Sequence, residues 1–118
     1  MKIQTVDSPA LSLGVGQNTS TVGGTSWRAT CPAGSYVVGT GFDAGIGNVD
    51  FVNAYGTFVG GFVHNDVSIT ITGVTLQAIC AQLPPGATAA STRARSRALD
   101  HYKADLEAAA TSLEAARK

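Results

Sequence analysis

The side chains that could do chemistry here are few: two histidines, two cysteines, a row of three arginines and four aspartates ahead of residue 87. His64 and His101 are far apart, and neither is followed by a second ligand at a metal-site spacing. His64-Asn65-Asp66 reads as a hairpin turn and His101 as a solvated helix residue. No nucleophile elbow, phosphate loop or dinucleotide fingerprint occurs. The expectation is a protein without catalytic residues or cofactor.

Three further groups could bind something. Asp43, Asn48 and Asp50 gather oxygen side chains in a glycine loop, the ligand type of Ca²⁺. Their spacing is not that of an EF-hand, so a turn in which Asp and Asn bond their own backbone is the better reading. Arg93, Arg95 and Arg97 would line one side of an extended segment and grip an acidic surface. On a helix, residues two apart do not share a face, and the row becomes a solvated approach. Tyr or Trp exposed beside Asn48, Asn53 or Asn65 would make a sugar-binding surface, against the default of core packing.

Charge excludes some partners. Residues 1–86 carry two basic and four acidic side chains, and residues 87–118 carry six and four. Neither part has the strong basic field of a nucleic-acid binder. No apolar run reaches the ~20 residues that span a bilayer, and no apolar leader follows Met1-Lys2. Neither a membrane nor a secretory signal is therefore expected.

These side chains must be positioned by two unlike segments. Up to Pro84-Pro85-Gly86 the chain is rich in Gly, Val, Thr and Asn, with short alternating runs between turn residues. Strands are expected from Leu11 to Val15, from Trp27 to Cys31 with Trp27, Ala29 and Cys31 on one face, from Ser35 to Phe42 and from Val49 to Ala54. Another is expected from Thr57 to Val63, interrupted by Gly60-Gly61. The cleanest alternation is Val67, Ile69 and Ile71 against Ser68, Thr70 and Thr72, continuing after Gly73 through Cys80. The fold class that follows is mainly β: an antiparallel β-sandwich or jelly-roll-like body over residues 1–83. A Pro/Gly linker over 84–90 then leads to a C-terminal α-helix over 91–118, capped by a Ser or Thr between 91 and 96.

Leu99, Leu106 and Leu113 recur every seven residues, with Tyr102, Ala109 and Ala116 at the companion positions. The seam is short and narrow. A helix of this length is marginal alone, so the seam must pack on copies of itself, on the β body or on another protein.

Cys31 and Cys80 both lie in strand-like contexts and belong to no C-x-x-C pair. A disulfide formed outside the cell is favoured, and two buried thiols acting as small apolar residues are the alternative. The segment Ala29-Thr30-Cys31-Pro32-Ala33-Gly34, its Val-rich continuation to Gly41 and the late Ala78-Ile79-Cys80 resemble a small β module. That module is seen in bacteriophage virion and tail-fibre-tip proteins and in some bacterial surface proteins. The resemblance covers about residues 25–83. It implies that Cys31 and Cys80 are paired, that the body is a β-sandwich, commonly trimeric, and that it stands on a virion or cell exterior reached by lysis. Here the module is followed by a helix instead of ending a long fibre. The functional expectation is therefore a capsid decoration or cement protein, a homotrimer touching the capsid shell. The alternative is a module that binds a host surface glycan or receptor.

Overall fold

The structure, a computed structural model, describes residues 2–83 and 92–117. The expected 84–90 linker lies outside the described residues. Among the described residues, seven strands and two α-helices follow one another: β1 (Ile3–Asp7), β2 (Leu11–Leu13), α1 (Thr19–Val22), β3 (Arg28–Thr30), β4 (Ser35–Asp43), β5 (Asn48–Ala54), β6 (Phe58–His64), β7 (Ile71–Gln82) and α2 (Thr92–Ala116). No described helix is long and apolar enough to cross a membrane.

The strands form two antiparallel sheets. In the first, the 12-residue β7 is the hub. β1 and β4 flank its C-terminal half, and β2 pairs with its beginning. In the second, β6 lies between β3 and β5. The alternation along β7 explains the packing. Val74, Leu76, Ala78 and Cys80 are buried against Leu13, Trp27, Ala29, Val59 and Val63, so the inner faces of both sheets share one core.

β6 is buried along its whole length, because it is covered on both faces. Val59 and Val63 join the inter-sheet core, while Phe58 and Phe62 belong to a second cluster with Tyr102 and Leu106 of α2. Gly60 and Gly61 do not interrupt this strand, contrary to the sequence expectation. They are the close-approach points for both layers. A Cβ on Gly60 would lie 2.5 Å from the Tyr102 ring, and one on Gly61 would lie 2.9 Å from Leu76. The result is sheet, sheet and helix in three layers.

The most regular alternation in the sequence is the one that fails. Residues 67–70 are not strand, and Ile69 is 59% exposed. The cause is Asn65, which is fully buried. Its amide nitrogen donates to the Leu13 and Ile69 carbonyls at 2.9 Å, and its oxygen accepts from the Val67 amide at 2.9 Å. These bonds hold residues 65–69 as a loop, and β7 begins only at Ile71.

Candidate functional site

α2 is seated on β6 by the seam residues. Tyr102 and Leu106 are buried, with Leu99, Ala109 and Leu113 packed around them against Tyr55, Phe58, Phe62 and Phe51. Ala116 is exposed. Of the three packing partners open to this seam, the β body is the one it meets. Tyr102 also repairs the backbone beneath it: its hydroxyl donates to the Trp27 carbonyl at 2.7 Å and accepts from the Gly61 amide at 3.2 Å. Burial pushes its ionisation above the usual phenol range.

Beside this seam, where the turn after β5 meets α2, lies an open cleft of about 460 Å³ lined by Asn53, Ala54, Tyr55, Ala98, His101 and Asp105. Four of these form a polar row. The Tyr55 hydroxyl donates to Asp105 Oδ2 at 2.5 Å and also meets the Asn53 side chain. The other Asp105 oxygen stands 3.8 Å from His101 Nε2, too far for a direct hydrogen bond. Burial, then the Asp105 contact, drives Tyr55 far above the ordinary phenol range, so it serves as a neutral donor. The His101 ring stands edge-on to Tyr55 at the exposed rim. The sequence places Asn53 near an aromatic residue but carries no signal for Asp105 or His101, because 50 residues separate Tyr55 from Asp105.

His64 is the second polar centre, and it is not a plain turn residue. It ends β6, is 8% exposed, and is held between Asp50 Oδ2 (2.6 Å from Nδ1) and Asp66 Oδ2 (2.8 Å from Nε2). Asp50 sits at the register shift between Val49 and Phe51, where the extra residue of a bulge redirects a side chain. Arg117, just beyond α2, bonds the other oxygen of Asp66 at 3.0 Å and the Gly16 carbonyl at 3.2 Å. The chain of contacts ties the end of the helix to the β body.

The Arg117 bond, followed by His64, holds the Asp66 carboxyl below the usual aspartate range. A lowered folded value means that this contribution is fully present above the ordinary titration near ~3.9 and is lost as pH falls through the lower folded value. In a ¹³C carboxyl titration, Asp66 is expected to titrate at lower pH in the wild type than in Arg117→Ala. Identical midpoints would remove the clasp.

The other sequence candidates scatter. Asp43 Oδ1 accepts from the Gly45 amide at 3.2 Å, as a turn residue does, and Asn48 donates to Asp66 at 3.4 Å. With Asp50 on His64, the three do not converge on one cation. Among the described residues no group of three His, Cys, Asp or Glu is placed to hold a metal ion. Arg95 borders a groove of about 580 Å³ along residues 31–36, Gly56, Thr57 and Leu83. Arg97 is exposed on α2, and the Arg93 side chain lies outside the described residues. Cys31 and Cys80 form a disulfide that joins the segment after β3 to β7, Cα to Cα 5.8 Å. The alternative of two free thiols is thereby set aside. No family model, no curated protein and no solved structure matches the chain.

Proposed function

We propose that this chain is a non-enzymatic structural protein of a bacteriophage particle, a capsid decoration or cement protein whose β body faces outward. The observation that carries the reading is the Cys31–Cys80 disulfide between the two sheets. Disulfides persist outside the reducing cytosol, and these cysteines stand in the segments that resemble the phage module. In this reading, copies meet as a trimer on the capsid shell. Because the apolar seam of α2 is occupied by β6, attachment through the helix falls to its exposed face, which carries Arg97, Lys103, Glu107 and Glu114.

The test is sedimentation. Particles from a lysate that contains this chain are banded on a density gradient and probed for it. The chain is expected in the particle band at a fixed ratio to the shell protein. If it stays with the free protein at the top, the reading fails.

A further inference from the structure

The polar row beside α2 is built in a way that helix packing alone does not require. The Tyr55–Asp105 bond between β body and helix uses one carboxylate oxygen. Asp105, His101 and Asn53 all line the open cleft. Between Asp105 Oδ1 and His101 Nε2 is a gap of 3.8 Å. A hydroxyl oxygen seated over that gap reaches both at about 2.8 Å, accepting from the imidazole N–H and donating to the carboxylate. The Asn53 amide also meets the Tyr55 hydroxyl, and its remaining donor and acceptor can bond a neighbouring hydroxyl.

Ala54 and Ala98 supply the apolar part of the lining, suited to the C–H surface of a saturated ring. The volume of about 460 Å³ suits one sugar ring in an open site. The row offers a carboxylate that accepts and an imidazole and an amide that can donate, and the carboxylate disfavours an anion. These features match a group that both donates and accepts at adjacent carbons.

We infer that this cleft binds a vicinal diol of a neutral saccharide, with Asp105 and His101 sharing one hydroxyl and Asn53 holding the next. Tyr55 is a positioning residue: its hydroxyl fixes one oxygen of Asp105 and leaves the other toward the cleft. The inference rests on the cleft and not on the particle assignment. A chain that bands with particles yet binds no sugar would keep that assignment and overturn this one.

The experiment is an amide NMR titration of the whole chain at millimolar probe. The probes are methyl α-mannoside, methyl β-galactoside, methyl α-rhamnoside and N-acetylglucosamine, with cyclohexanol as a ring bearing a single hydroxyl. At least one sugar is expected to give saturable shifts confined to residues 53–55 and 98–105, and cyclohexanol none. His101→Ala and Asp105→Asn each remove a charged or polar partner and are expected to weaken binding about tenfold or more. His101 is exposed, and the amide oxygen introduced by Asp105→Asn still accepts from Tyr55, so both variants keep the wild-type spectrum away from the cleft. The inference is overturned if no sugar gives saturable shifts, if the shifts map elsewhere, if cyclohexanol matches the sugars, or if both variants bind as the wild type does.

Discussion

Leu106→Asp is expected to unseat α2 from β6 and to lower the stability of the chain by about 3–5 kcal/mol. Leu106 is 4% exposed, at the centre of the cluster with Tyr55, Phe58, Phe62 and Tyr102. The substitution removes its apolar burial and puts a carboxylate into that cluster of rings. Once the helix lifts, Tyr102 no longer satisfies the Trp27 carbonyl or the Gly61 amide, which adds to the loss. Trp27 is the single tryptophan and is 1% exposed in the inter-sheet core, so its emission follows unfolding of the β body.

The expected result is a lower urea midpoint, followed by tryptophan emission, and faster proteolysis within α2 of the native chain. Leu106→Ala serves as the milder control, losing about 2–4 kcal/mol without burying a charge. An Asp variant with the wild-type midpoint and proteolysis rate would show that the helix does not depend on this face. The heptad spacing alone suggests that the same substitution would release the protein from an assembly. With the seam packed on its own β body, its first effect is intramolecular.

Reduction of the Cys31–Cys80 bond is expected to cost about 4 kcal/mol, from the loop-closure entropy of a link spanning 49 residues. Both sulfurs are in or beside the inter-sheet core, with Cys31 7% and Cys80 1% exposed. Reductant acts on the native fold only as it opens, so the comparison is made at equilibrium. Denaturation with and without reductant, and of the Cys31→Ala/Cys80→Ala chain, is expected to show the reduced and double-variant forms unfolding at similarly lower urea. Midpoints equal to that of the oxidised protein would mean that core packing alone holds the sheets together. The size of the effect follows from the body: about 80 residues bury a thin core, and a covalent link then carries a large share of the stability.

Local pattern was legible wherever one face met one environment. Trp27, Ala29 and Cys31 are buried together as their alternation required, and the seven-residue spacing of Leu99, Leu106 and Leu113 marks the face of α2 that packs. It misled where a residue serves two layers or a side chain overrides the backbone. Gly60-Gly61 reads as a break in any single-sheet strand. It becomes a seat for Tyr102 and Leu76 only because β6 is covered on both faces. Residues 67–70 alternate like a strand, but the buried Asn65 amide claims their backbone groups.

The candidate site was mostly beyond such reading. Asn53 near Tyr55 was visible. Asp105 and His101 enter the cleft because α2 folds back across β6, and Asp50 reaches His64 through a bulge that no local pattern marks.

By itself the sequence determined the class: an antiparallel β body, a helix with one apolar face, and two cysteines in strand-like segments. Those properties follow from periodicity and composition within a few residues of each position. The tertiary structure decided the pairing of the cysteines, the surface that receives the seam, and the two polar centres at Tyr55–Asp105 and His64. Each of these is a contact between distant segments, and its free energy exists only once the sheets and the helix have closed on one another.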